Sequence, residues 1–121
     1  MKKTLLVLAA VAALSVPLSA PAGTSATRLA GTTGPGFTVT LKKAGKKVTT
    51  LKPGSYTITV SDKSSAHDFW IVGPGLKAKQ ITGVAFKGTK SATVKLSKKG
   101  RYEFYCKPHR QMGMRGFFTV K

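Results

Sequence analysis

The feature that most constrains this chain is a two-residue alternation of apolar and polar side chains that begins at Phe37. Three segments show it clearly: 37–41, 56–60 and 92–96. Successive side chains of a β-strand point to opposite faces, so each segment predicts a strand with one buried and one solvated face. No stretch carries a convincing helical stripe, which disfavours any helical architecture.

Turn residues separate these strands at short intervals. They lie at Ala44–Gly45, Pro53–Gly54, Gly73–Gly75, Gly83, Gly88 and Lys99–Gly100. This spacing predicts an all-β fold, a Greek-key antiparallel β-sandwich. Tyr56 and Tyr102 each follow a turn in the pattern Gly-x-Tyr, which suits tyrosines placed at two Greek-key corners.

The first 22 residues are predicted to be a secretory signal peptide. Lys2 and Lys3 precede an apolar run that is too short to span a bilayer, and small residues follow it. We expect residues 23–35 to be a flexible lead-in and residues 36–121 to be one folded domain. These expectations describe an exported protein, periplasmic or extracellular, that does not span a membrane.

The charge balance is one-sided, with 21 Lys and Arg against 3 Asp and Glu and a formal net charge of +18. Such a surface either keeps the protein in solution or attracts an anionic partner, such as an acidic protein, an anionic envelope or nucleic acid. Few aromatic residues lie between the basic ones, so we expect no stacking platform for nucleic acid. With three carboxylates, two histidines and one cysteine, acid–base catalysis has few candidate groups, and we expect no enzyme.

Residues that can bind a metal concentrate in the last predicted hairpin. Cys106 leaves a core strand, His109 follows three residues later, and Met114 comes five residues after that. Thiolate, imidazole and thioether together select copper, whereas zinc rarely accepts a thioether and hard cations prefer oxygen. A fourth ligand must come from elsewhere, and the one other histidine is His67, just before the apolar segment 69–72.

Over roughly residues 36–121 the sequence resembles the cupredoxins, the blue-copper family of plastocyanin, pseudoazurin and amicyanin. The specific part is the segment YCKPHRQMGMRG, whose Cys-x2-His-x4-Met spacing is similar to that of plastocyanin. The resemblance implies one type 1 copper per chain. It assigns His67 and His109 as imidazole ligands, Cys106 as the thiolate and Met114 as the weak axial ligand.

Two positions depart from the family pattern. Asp68 follows the first ligand, where these families usually have Asn, and its charge beside the thiolate would favour the oxidised metal. Met112 offers a shorter His-x2-Met spacing similar to that of amicyanin, so it remains the alternative axial ligand.

The implied function is the carriage of single electrons between exported redox partners. Two imidazoles, one thiolate and a long thioether contact suit both Cu(I) and Cu(II), so electron transfer needs little rearrangement. The His109 edge is the expected electron port, and a small apolar rim around it is predicted from four residues. These are Pro74, Pro108, Met112 and Gly113.

We expect a monomer whose redox partners are acidic and bind transiently, with possible electrostatic contact to an anionic envelope. The alternative is a copper delivery or storage protein. Such proteins bind Cu(I) more openly and usually carry Met- or His-rich tracts, whereas this chain has three methionines.

Overall fold

Two five-stranded β-sheets enclose one apolar core in the computed structural model, which describes residues 26–121. Sheet I has the order β3-β2-β1-β5-β8, and sheet II has the order β4-β10-β9-β6-β7. The strands are β1 (Thr27–Thr33), β2 (Val39–Lys43), β3 (Lys46–Lys47), β4 (Thr50–Leu51), β5 (Gly54–Asp62), β6 (Phe69–Gly73), β7 (Leu76–Thr82), β8 (Gly88–Leu96), β9 (Gly100–Tyr105) and β10 (Arg115–Val120). A 3-10 helix, η1 (Lys107–Met112), joins β9 to β10. The predicted all-β sandwich is confirmed, with two parallel strand pairs, β1/β5 and β4/β10, among otherwise antiparallel ones.

The two-residue alternation accounts for the core. Ile58 and Val60 on β5 and Leu96 on β8 are fully buried, because they point between the sheets. The polar positions between them point outward, where the Thr59 hydroxyl bonds that of Ser91 across the β5/β8 pair. Burial of each large aliphatic side chain contributes roughly 1.5–3 kcal/mol, so the core supplies most of the favourable folding energy.

The expected lead-in over residues 23–35 needs correction, because Thr27–Thr33 form β1 at the centre of sheet I. β1 pairs antiparallel with β2 and parallel with β5 along its whole length. Leu29 and Thr33 are buried, and Gly31 lies so close to the Phe69 ring that an added Cβ would meet it at 3.0 Å. Gly, Ala and Thr dominate this strand, so its sequence lacks the large apolar residues that mark the others.

Both predicted tyrosine corners are present. The Tyr56 hydroxyl donates to the carbonyl oxygen of Lys52, four residues upstream. The Tyr102 hydroxyl lies 2.7 Å from the carbonyl oxygen of Lys98, also four residues upstream, and 2.9 Å from that of Pro74. Each hydrogen bond attaches the loop that precedes a strand to the tyrosine on that strand.

The predicted signal peptide, residues 1–22, lies outside the described residues, as do the first residues of the lead-in. Within residues 26–121, no helix is long and apolar enough to cross a membrane.

The position of β1 generates a prediction about where the folding unit begins. A variant that starts at Ala26 should fold, whereas one that starts at Gly36 should not, because sheet I would lose its central strand and the hydrogen bonds on both its edges. Circular dichroism and urea unfolding of the metal-free variants measure this. A cooperative transition in the shorter variant would show that β1 is dispensable.

Candidate metal centre

Three side chains meet at one end of the sandwich with their donor atoms facing one another. The Cys106 sulfur lies 3.7 Å from His67 Nδ1 and 3.5 Å from His109 Nδ1. The two Nδ1 atoms are 3.0 Å apart. His67 and Cys106 are buried, and His109 is half-buried. The structure therefore brings together three of the four residues predicted to bind the metal.

This donor set fits a soft or borderline metal ion. Metal–nitrogen and metal–sulfur bonds of about 2.0–2.3 Å place two donors of one ion roughly 3–4 Å apart, as these three atoms are. Two imidazoles and one thiolate in a trigonal arrangement are typical of type 1 copper sites. His67, Cys106 and His109 would hold the ion, and copper would supply a one-electron redox couple there.

Backbone hydrogen bonds shape the segment 106–114, which we call the ligand loop. The His109 N–H donates to the Cys106 carbonyl, which turns His109 back toward the sulfur. Gly113 ends η1 in the left-handed conformation, with φ of 92°, a turn that few other residues adopt without strain. The Met114 N–H then donates to the His109 carbonyl, and the Met114 carbonyl accepts from the Cys106 N–H at 3.0 Å, which closes the loop.

Asp68 ties the His67 segment to the ligand loop. Its Oδ1 accepts from the Lys107 N–H at 2.7 Å, and its Oδ2 accepts from the Trp70 indole at 2.8 Å. Its backbone carbonyl accepts from the buried Thr33 hydroxyl of β1. An ionised carboxylate accepts both N–H groups, whereas an Asn side chain would turn its own NH₂ group toward one of them. This accounts in physical terms for the acidic residue at this position.

The Cys106 thiol is fully buried. Burial raises the pKa of the Cys106 thiol above its ordinary value, while hydrogen bonds from the backbone N–H groups of Asp68 and His109 lower it in part. The Asp68 carboxylate raises it further. Because the metal binds the thiolate, copper binding must displace a proton from this group.

The two candidate axial methionines differ in exposure. Met114 is buried, with 1% of its surface exposed, and its backbone bonds both Cys106 and His109. Met112 lies at the end of η1 and is 70% exposed.

Two sequence-based expectations about the surface at this end were wrong. Phe37 was expected to point inward from a strand, but β2 begins at Val39 and the Phe37 side chain is 62% exposed. Its ring contacts both imidazoles edge-on, with centroid distances of 5.5 Å to His67 and 4.8 Å to His109. The sequence does not distinguish Phe37 from a buried residue, because the alternation of β2 continues beyond the end of the strand.

Pro74 was expected in the rim around His109, but it lies at the opposite end of sheet II. Its carbonyl accepts from Tyr102, and its ring packs against Gly100, where β9 begins. Cys106 follows the last residue of β9, so the length of that strand separates Pro74 from the metal site.

Sequence reasoning also missed an ion-pair cluster beside the ligand loop. Glu103 on β9 bonds Arg110 of η1 and Arg115 of β10. One feature of the sequence points to this cluster. Glu103 is the single acidic residue between residue 69 and the C-terminus, in a chain with 21 Lys and Arg residues.

Comparisons with known proteins agree with this geometry. The model of the copper-binding plastocyanin/azurin family matches residues 37–121. Among solved structures, reduced auracyanin from Roseiflexus castenholzii superposes with a TM-score of 0.54 at 22% identity, over 82% of this chain and 99% of that one. The copper protein rusticyanin gives a TM-score of 0.53 at 22% identity, over 78% of this chain and 76% of that one.

A multi-copper oxidase from Pediococcus acidilactici also matches, with a TM-score of 0.51 at 19% identity. The match covers all of this chain but 31% of the oxidase. At these identities the three structures establish a shared fold. The family-model match, together with the His–Cys–His cluster, identifies the ion that this site suits as a single type 1 copper.

The two-sheet fold, the converging imidazoles and thiolate, and the family match over residues 37–121 together show that this chain belongs to the plastocyanin/azurin family of copper-binding proteins.

Proposed function

We propose that this protein is an exported carrier of single electrons. Its type 1 copper is bound by His67, Cys106 and His109, with Met114 as the axial ligand. The observation that carries the proposal is that the three nitrogen and sulfur donors already lie at ligand spacing around one point. A site with donors fixed in this way changes little between Cu(I) and Cu(II), which keeps the barrier to electron transfer low.

Restraints on both sides of the site support a rigid centre. Asp68 connects the His67 segment to Lys107, and Thr33 connects that segment to sheet I. A copper delivery protein must release its ion, so it gains from loosely held ligands. The fixed donor atoms favour electron transfer over copper delivery.

Burial supports Met114 as the axial ligand. The residue is enclosed and its backbone joins Cys106 and His109, while Met112 faces solvent. A long thioether contact needs a side chain held inside the site. We therefore retain the Cys-x2-His-x4-Met assignment and place Met112 on the surface around the port.

The electron port in this proposal is the His109 edge. His109 is half-buried, and the exposed Phe37 ring and Met112 side chain lie on the adjoining segments. A small apolar surface of this kind supports brief encounters, whereas the positive charge of the molecule attracts acidic partners from a distance. We propose a monomer that functions in the periplasm or outside the cell and catalyses no reaction of its own.

Copper loading provides the first test. The protein should bind one Cu(II) per chain and show an intense visible charge-transfer band, because Cys106 supplies a short, covalent sulfur bond. Cys106→Ser should abolish the band, whereas Met112→Leu should preserve it. Optical titration with Cu(II) measures both. A colourless wild-type protein with full copper occupancy would exclude a type 1 site.

Voltammetry distinguishes the two methionines. Met114→Leu removes a weak donor to Cu(II) and should raise the reduction potential, whereas Met112→Leu should leave it nearly unchanged. The reverse result, a shift in Met112→Leu alone, would assign the axial position to Met112.

Ionic strength tests the electron-transfer role and the contribution of charge. The reduced protein should be oxidised rapidly by ferricyanide, an anion, and the rate should fall as salt is added, because attraction is screened over about 10 Å at 0.1 M. Oxidation by the cation tris(phenanthroline)cobalt(III) should instead accelerate with salt. Stopped-flow absorbance at the copper band measures both rates.

Two charge-reversal variants locate the encounter surface. Lys107→Glu, within the ligand loop, should slow the reaction with ferricyanide more than Lys46→Glu, because Lys46 on β3 pairs with Lys43 at the far end of β2. Equal effects would mean that charge acts over the whole molecule without selecting the His109 edge. Rates that do not change with salt would overturn the electrostatic part of the proposal.

A further inference from the structure

Glu103 is the only acidic residue on the outer face of sheet II within the described part of the chain, and it lies three residues before Cys106. Its side chain is 8% exposed. Arg110 forms two bonds to it, through a terminal guanidinium nitrogen to Oε1 and through Nε to Oε2 at 3.3 Å. Arg115 adds an ion pair, with its Nε 3.1 Å from Oε2. One buried carboxylate therefore binds two guanidinium groups.

The two arginines occupy special places in the sequence. Arg110 follows His109 in η1, and Arg115 follows Met114 at the start of β10. Each arginine is therefore adjacent in sequence to a residue assigned as a copper ligand. We infer that Glu103 is a positioning residue, which fixes the C-terminal half of the ligand loop by holding Arg110 and Arg115 against β9. The inference rests on the ligand assignment made above but not on an electron-transfer role.

Aromatic rings restrict the arginines further. The Arg110 guanidinium lies over the Tyr105 ring at 4.1 Å, and that of Arg115 lies over the Phe117 ring at 4.8 Å. A planar guanidinium that stacks on a ring and binds a carboxylate through its edge has little rotational freedom. These contacts therefore orient both side chains as well as neutralising the carboxylate.

The Glu103 cluster complements restraints elsewhere in the loop. Asp68 holds the first residues of η1 through the Lys107 N–H, and the bonds of His109, Gly113 and Met114 lie within the loop itself. Within residues 26–121, the ion pairs of both arginines are with Glu103. The cluster is therefore one side-chain link between η1 and the outer face of sheet II, and a second is the Lys107 ammonium, which lies 4.9 Å from the centre of the Trp70 ring.

Hydrogen exchange of the metal-free protein tests the inference directly. Glu103→Gln, Arg110→Gln and Arg115→Gln should each accelerate exchange of the Met114 amide by about tenfold, because each removes charged contacts that oppose local opening. The Ile58 amide of β5 should keep its wild-type rate and so report an intact core. Arg101→Gln is the matched control, since Arg101 lies on the same face and stacks on Phe117 at 3.8 Å, whereas the ion pairs of Glu103 are with Arg110 and Arg115.

Copper release separates positioning from simple electrostatics. If the cluster positions the loop, Cu(II) transfer to excess EDTA should be faster in all three variants, and Glu103→Gln combined with Arg110→Gln should add little to either single change. If charge alone matters, loss of the carboxylate should speed release while loss of either arginine should slow it.

Opposite signs for the carboxylate and arginine variants would overturn the inference, as would an unchanged Met114 exchange rate in the metal-free variants. The arginine side chains are 42% and 43% exposed, so their variants carry the test even if Glu103→Gln fails to fold. Because the exchange experiment contains no copper and no electron acceptor, its outcome does not depend on the proposed function.

Discussion

The copper site depends most on the hydrogen bonds of Asp68. This one residue receives a bond from Thr33 in sheet I, from Trp70 in β6 and from Lys107 in the ligand loop. Asp68 thereby joins sheet I, sheet II and the ligand loop at a buried position next to the Cys106 thiol. A buried carboxylate is costly unless its oxygens are bonded, and here both oxygens accept N–H groups. His67 and Cys106, from distant parts of the sequence, are held together as a result.

Different interactions stabilise the sandwich and the copper site. Burial of alternate apolar side chains stabilises the two sheets, and the tyrosine corners hold their crossings. Cys106 and Met114 are buried at the two ends of the ligand loop, but η1 between them has no buried residue. Its conformation depends instead on backbone bonds, on Asp68 at its start and on Glu103 at its end. Polar contacts of this kind specify geometry, which a copper centre requires.

Much of this architecture could be predicted from the sequence where local chemistry carries the signal. β5 alternates along its length and β8 alternates over its second half, and the Cys-x2-His-x4-Met spacing has few other uses in so short a loop. Prediction failed where the deciding contacts are distant in sequence. β1 is buried by pairing on both edges, with small side chains that give no periodic signal. Phe37 continues the β2 alternation, yet its exposed ring contacts the two imidazoles because the chain has left the sheet.

The sequence by itself determined the fold class, the chemistry of the ligands and the excess of positive charge, because each of these follows from residue type and local spacing. Only the tertiary structure decided which residues surround the site. It placed Pro74 at the far end of sheet II, brought Thr33 to Asp68, and gathered Arg110 and Arg115 around Glu103. These contacts depend on strand register and on how chain crossings bring distant segments together. The alternation along one strand shows which of its residues are buried, but it does not show which residues of other strands they will contact.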